Sequence, residues 1–212
     1  MAPGAIEALS QLRESGVRVT IVSGRPVEFL AAMMAPVHVD LIGVYGLERV
    51  IDGLGTEVAQ ADELRALMSS IEQELASHLP SGMTVENKGM SITLHYRQHP
   101  QLADQAATLA ADVRRRWPID VRSAKQSVEL HPRVETDKGS AVLEFVGSES
   151  SVVYIGDDEG DLPGFAALDV LERRGTSVLR VAVGSSELPA LLESSADIVL
   201  DGPSGVVEFL SG

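Results

Sequence analysis

Four carboxylates fall within five residues in Gly156-Asp157-Asp158-Glu159-Gly160-Asp161, directly after the apolar run Val152–Ile155. Carboxylates this close repel one another, and a hard cation bound through oxygen, such as Mg²⁺, relieves the repulsion. The bland reading of the same composition is an acidic surface loop on an acidic protein. Two other polar spots have complementary chemistry. Ser23-Gly24-Arg25 offers a hydroxyl beside backbone N–H groups, a combination that holds phosphate oxygens. Lys138-Gly139 puts an ammonium at a helix start, where it can neutralise a phosphate and the charge that develops on it. Carboxylates holding a metal beside them would bridge to the same phosphate. Taken singly, Lys138 reads as a solvated surface lysine and Ser23 as a turn residue or helix cap. The three spots in this order along one sheet are a more specific signal than any one of them.

The elements that must position them follow from apolar spacing. Val152, Val153, Tyr154 and Ile155 have no polar alternation and predict a buried strand of a parallel sheet. Gly156 turns the chain at that strand's carboxyl end, where open α/β sheets bind ligands. Ile6, Leu9 and Leu12 predict a helix over 4–15, closed by Gly16. A strand over 17–22, a helix over 27–34 and a strand over 40–45 follow. After 137 the order is helix (to about 145), strand (151–155), helix (162–173), strand (178–183), helix (187–193) and strand (198–200). That alternation is the pattern of βαβ units. Between 49 and 131 the character changes. Alternating runs at 84–88, 91–97 and 127–130 predict antiparallel strands with one wet face. Amphipathic helices over about 61–78 and 101–116 interleave with them, so a small α/β domain is expected as an insertion.

Composition narrows the function classes. At 212 residues, with 44% hydrophobic and 23% charged side chains, the chain is globular and long enough for two small domains. A net charge of −14 argues against a nucleic-acid partner, which needs a basic footprint. The absence of cysteine excludes a thiol catalyst and a cysteine zinc site. No apolar run reaches about 18 residues, so no membrane span is expected, and no signal peptide is visible. The cytoplasm is the default location.

Longer stretches carry a resemblance. They are Ile21-Val22-Ser23-Gly24-Arg25-Pro26, Tyr45-Gly46-Leu47-Glu48, Lys88 with Ser91, Leu94-His95-Tyr96-Arg97, Glu129-Leu130-His131-Pro132, Lys138-Gly139 and Gly156 to Asp161. On these the chain resembles the haloacid dehalogenase-like phosphatases, and within them the trehalose-phosphate phosphatases. The resemblance implies a Rossmann-like core from 1–48 and 132–212, with an inserted α/β cap over 49–131. It implies Mg²⁺-dependent release of phosphate from trehalose 6-phosphate, a small-molecule substrate, and a functional link to a trehalose-6-phosphate synthase. By the same resemblance Ser23 binds phosphate, Lys138 holds the phosphate and the nucleophile, and Asp161 orients that lysine. Asp157 and Asp158 are the implied metal ligands. Lys88, Lys125 and Glu129 are implied to grip the sugar hydroxyls, and Arg25 to contact substrate. Glu48, His95 and Arg97 lie in matching motifs, while His95 and Tyr96 equally suit cap packing and Glu86 a cross-strand surface charge.

The chain departs from the family pattern in two places. Gly160 and Leu162 stand where the acidic motif usually has threonine and glutamate. The family's first strand, with its Asp-x-Asp motif, has no counterpart in these residues. That strand supplies the nucleophile, the acid/base aspartate and metal ligands. It lies at the centre of the parallel sheet, between the strands at 17–22 and 151–155. A segment carrying it is therefore expected upstream, and the chain without it is expected to be inactive. Two rival readings keep the fold. One is a phosphatase for another sugar phosphate, such as that of sucrose or mannosyl-glycerate. The other is a non-catalytic remnant that binds a sugar phosphate or a synthase.

Overall fold

Apolar residues at helical spacing form α1 (Ala5–Glu14), after which Gly16, at φ 88°, turns the chain toward β1 (Thr20–Val22). The computed structural model describes residues 1–124, 126–134 and 136–212. α2 (Val27–Met34) and β2 (Asp40–Gly43) follow, and β1 and β2 pair in parallel with Ile21 opposite Leu41. The strand expected to reach 45 stops at Gly43. Val44 and Tyr45 adopt φ of 45° and 57° and close a 3-10 turn with Gly46, which ends the extended backbone. A hairpin not read from the sequence comes next, β3 (Glu48–Ile51) and β4 (Leu54–Glu57), with β3 antiparallel to β2.

The next segment carries α3 (Ala61–Ala76), β5 (Thr84–Asn87), β6 (Ile92–His95), α4 (Ala103–Arg116), β7 (Ile119–Ala124) and β8 (Ser127–Pro132). Its strands form an antiparallel sheet in the order β5-β6-β8-β7. Met68, Ile71 and Leu75 of α3 and Ala106, Ala110 and Val113 of α4 pack on Ile92, Leu94, Val128 and Leu130. Both helices therefore cover one sheet face, as the alternation required.

The chain then runs through α5 (Lys138–Val146), β9 (Ser151–Gly156), α6 (Leu162–Arg173), β10 (Ser177–Val183), α7 (Ala190–Ser195), β11 (Ile198–Leu200) and α8 (Gly202–Ser211). β9, β10 and β11 are parallel, in the order β11-β10-β9. Val142, Tyr154, Phe165, Leu168, Leu171 and Leu192 make the core around them. The molecule divides into Met1–Thr56 with Thr136–Gly212, and Glu57–Glu135. The insertion therefore spans 57–135, where the change of patterning had put 49–131. The reason is that β3 hydrogen-bonds to β2 and so belongs to the first unit. Among the described residues, no helix is long and apolar enough to cross a membrane.

β1 and β9 each end a sheet, with no strand paired to their outer edges among the described residues. This corrects the expectation that 152–155 is buried throughout. Tyr154 and Gly156 are buried, but Val153, which points to the opposite face of the sheet, is 51% exposed.

α5 and α6 meet closely at Gly139, where an added Cβ would lie 2.3 Å from the Pro163 carbonyl oxygen. Gly139→Ala must push the helices apart, and overpacking of this kind costs about 1–3 kcal/mol. Urea unfolding is expected to show a lower midpoint at unchanged slope. An unchanged midpoint would mean that this contact does not hold α5 in place.

Candidate functional site

The loop after β9 is organised by one carboxylate. Asp161 is buried, and its Oδ2 accepts the backbone N–H groups of Asp157 (2.9 Å) and Asp158 (3.2 Å). Its Oδ1 accepts from Lys138 Nζ at 2.6 Å and from the Tyr154 hydroxyl at 2.8 Å. A carboxylate offers about four lone-pair sites, so those of Asp161 are taken by protein donors. Burial alone would raise its pKa. The Lys138 ammonium, with the bonds from Lys138, Asp157 and Tyr154, outweighs burial and holds Asp161 below the usual carboxylate range.

Lys138 is the first residue of α5, where a cation opposes the helix dipole. It is nonetheless 8% exposed, and Asp161 is what stabilises it there. The helix start itself is fixed by a reciprocal cap. The Ser140 N–H donates to Asp137 Oδ1 at 2.7 Å, and the Asp137 N–H donates to Ser140 Oγ at 2.8 Å. Asp158 lies on the outer side of the lysine, 3.8 Å from Nζ. Partial desolvation and the charges of Asp161 and Asp157 push its carboxyl up, against the pull of Lys138. Gly160 leaves this side open, for a Cβ there would meet Asp158 Oδ1 at 3.0 Å and Lys138 Nζ at 3.8 Å.

Asp157, Asp158 and Asp161 each bring one carboxylate oxygen within 4.8 Å of the others. An all-oxygen donor set at this spacing fits a hard divalent cation and not a thiophilic one. Asp157 and Asp158 are exposed, while Asp161 is buried and fully engaged. Direct coordination therefore suits the first two, and Asp161 supports the loop that presents them.

Ser23 stands at the carboxyl end of β1. Its N–H donates to Ile42 at 2.9 Å, its carbonyl accepts from Tyr45 at 3.1 Å, and its Oγ accepts the Arg25 N–H at 3.2 Å. The Tyr45 ring packs over Gly24, where a Cβ would come within 2.5 Å of it. Gly46, beside Tyr45, abuts Thr136, Asp137 and Ala141 at the start of α5. The serine loop and the lysine helix are thus joined through the Val44–Gly46 turn, with no direct Ser23–Lys138 contact recorded. The Arg25 guanidinium lies 4.4 Å over the Phe29 ring. Glu48 accepts the Val27 N–H at 2.7 Å and so caps α2, a structural part that the motif alone did not reveal.

In the second unit Lys88 Nζ donates to Glu129 Oε1 at 3.2 Å, and both side chains are 12% exposed. His131 Nε2 lies 3.1 Å from Glu129 Oε2. Glu86, Thr93, Glu129 and Arg122 are cross-strand neighbours, on the face away from the helices. His95 pairs with Glu86 at 2.7 Å, and Arg97 is exposed. Lys125 lies outside the described residues. Sequence reasoning missed the Tyr154 hydroxyl. The signal available was one phenol in an otherwise aliphatic strand, since a buried tyrosine hydroxyl needs a partner.

Comparison with known proteins places the chain in a family. The family model described as trehalose-phosphatase matches residues 1–197. The trehalose-6-phosphate phosphatase of Escherichia coli K12 is 31% identical over 185 residues, covering 85% of this chain and 68% of that protein. The trehalose-phosphate phosphatase of Mycobacterium tuberculosis H37Rv is 28% identical, covering 99% of this chain and 54% of that one. The chain thus spans about half to two thirds of these relatives. Among solved structures, the C-terminal domain of a Candida albicans trehalose synthase regulatory protein superposes with TM-score 0.77 at 17% identity, covering 99% of this chain and 86% of that one. A haloacid dehalogenase-like hydrolase from Bacteroides thetaiotaomicron gives 0.68 at 17%, covering 99% and 91%. These likenesses establish a haloacid dehalogenase-like fold with a cap. With a family model matched over most of its length, the chain belongs to the trehalose-phosphatase family.

Proposed function

We propose that the protein is a Mg²⁺-dependent phosphatase that releases phosphate from trehalose 6-phosphate. The observation that carries this reading is the buried Lys138–Asp161 pair beneath the Asp157–Asp158 loop. It fixes an ammonium beside two exposed carboxylates, one able to hold a phosphate and the others its cation. The substrate comes from the family and from what the related proteins are named for. A synthase making that substrate is the functional partner implied, and the cytoplasm is the compartment expected.

Mg²⁺ held by Asp157 and Asp158 would neutralise phosphoryl oxygens. Lys138 binds the phosphate on its other side, with its position set by Asp161 and not by the ligand. The Ser23 hydroxyl is assigned to a remaining oxygen. Lys88, Lys125 and Glu129 are assigned to the sugar hydroxyls, and Arg25 to the substrate's approach. The Lys88–Glu129 pair supports the first of these, because it holds an ammonium and a carboxylate together, each with a side chain 12% exposed, in the second unit.

The nucleophile is assigned to an aspartate on a strand lying between β1 and β9. One observation supports that place. Each of these parallel strands has an outer edge with no partner among the described residues. The aspartate oxygen bonds to phosphorus as the P–O bond to the sugar breaks, the acid/base aspartate of the same strand gives the sugar oxygen its proton, and it later takes one back from the attacking water. Water then attacks phosphorus, releasing phosphate and restoring the carboxylate.

Three measurements test this reading. In protein that includes such a strand, phosphate release is expected to be fastest on trehalose 6-phosphate among sugar phosphates including those of sucrose and mannosyl-glycerate. Equal rates across the panel would remove the substrate assignment. Asp157→Asn in that protein is expected to lower the Mg²⁺-dependent rate about a hundredfold or more, the scale for loss of a preorganised electrostatic group. Full activity would take the metal away from Asp157. The 212-residue chain alone is expected to bind the substrate with negligible turnover, and steady phosphate release from it would place the nucleophile within these residues.

A further inference from the structure

β9 is aliphatic apart from one phenol, Tyr154, and a phenylalanine would fill the same space. The ring is buried at 8% exposure, and Phe165 packs edge-on to it at 6.0 Å and 89°. Its hydroxyl donates to Asp161 Oδ1 at 2.8 Å. A second residue is matched to this contact. Gly164 of α6 is buried, and a Cβ there would lie 2.4 Å from the tyrosine ring. Glycine is a poor helix former, so local preference does not account for it. Tyr154 and Gly164, the second unfavourable for its own helix, fit each other, and the fit aims the hydroxyl at Asp161.

We propose that Tyr154 is a positioning residue for the cation and phosphate site, acting through Asp161. Asp161 Oδ1 is shared between Lys138 Nζ and the Tyr154 hydroxyl, while Oδ2 holds the N–H groups of Asp157 and Asp158. The two N–H groups hold Oδ2, but without the phenol the only donor on Oδ1 is an ammonium at the end of a flexible side chain. The hydroxyl, rooted in the core, supplies the second direction. Asp161 then keeps Oδ2 under the loop that presents Asp157 and Asp158, and keeps Lys138 pointing past Asp158. The effect on the loop follows from this geometry alone. The effect on ligands rests on the proposed function.

The test is Tyr154→Phe, which keeps the ring and removes the hydroxyl, in the chain as it stands. Amide hydrogen exchange at Asp157 and Asp158 is expected to quicken about tenfold, the scale for losing a hydrogen bond to a charged group. Exchange at Leu168, in the core of α6, is expected to stay the same, which separates local release from general loss of stability. Calorimetric titration with MgCl₂, carried out on protein that includes the strand proposed between β1 and β9, is expected to show affinity lowered by a similar factor. Gly164→Ala, which displaces the ring but keeps the hydroxyl, is expected to reproduce both changes, and it decides the matter should Tyr154→Phe fail to fold. Unchanged exchange at Asp157 and Asp158 overturns the proposal. So does faster exchange with Mg²⁺ affinity equal to that of the wild type. If the wild type binds no Mg²⁺ while the two amides respond, the proposed function falls and the positioning of the loop stands.

Discussion

The first unit depends on an ion pair that is expensive to bury. Lys138 and Asp161 are 8% and 4% exposed, and taking two charges out of water costs several kcal/mol for each ion. Their attraction offsets that cost only with good geometry and full use of the remaining polar capacity. The first condition is met, and on the carboxylate so is the second. The contact is 2.6 Å, and the other lone pairs of Asp161 receive two backbone N–H groups and a phenol. Removing either partner of such a pair typically costs about 3–5 kcal/mol, a large part of a domain's stability of about 5–15 kcal/mol. A pair that stabilised the fold and did nothing else could be replaced by apolar residues at little loss. Its retention beside two exposed aspartates is what a ligand site requires.

The surrounding elements are shaped to keep that pair in place. α5 must approach α6 closely enough for Lys138 to reach across, and Gly139 against Pro163 permits it. The start of α5 is locked by the Asp137–Ser140 cap and braced by the Val44–Gly46 turn. That turn holds Val44 at φ 45°, a conformation that β-branched residues rarely adopt, at a cost on the order of 1–3 kcal/mol. It persists because Tyr45 is tied at both ends, by its N–H to the Ser23 carbonyl and by its ring against Gly24. Strain in the turn and order in the serine loop are therefore one arrangement.

What the sequence disclosed follows from the same physics. The ligand-facing parts were legible because they break the apolar pattern at strand ends, where Gly156 and the aspartates interrupt Val152–Ile155 and Ser23 interrupts the run to Val22. The insertion was legible as a change from continuous to alternating strands, but its edge was not. β3 and β4 are short, with Leu54 72% exposed, so no periodicity marks them as part of the first unit. The end of β2 was hidden because a positive φ at Val44 and Tyr45 is imposed by tertiary contacts, against the preference of both residues. The depth of β9 was overestimated because apolar composition reports what a strand could bury, and what covers each face decides what it does bury. The Glu48 cap on α2 joins residues 21 positions apart, beyond any local window.

The polar clusters of the two units differ in their electrostatics. The chain carries a net charge of −14, so an anionic ligand gains nothing from its long-range field. At physiological ionic strength that field is screened over about 8 Å, and what a phosphate meets is set by the groups within that radius. Lys138, held at a helix N-terminus, supplies the local positive charge, and Asp161 keeps the lysine from following solvent. A neutral sugar asks for something else, namely donors and acceptors fixed in direction. On the polar face of the second unit's sheet, the Glu129 carboxylate lies between Lys88 on one oxygen and His131 on the other. That carboxylate is held from two sides, at 3.2 Å and 3.1 Å. A buried ion pair thus organises the polar cluster of the first unit, and a carboxylate held from two sides that of the second.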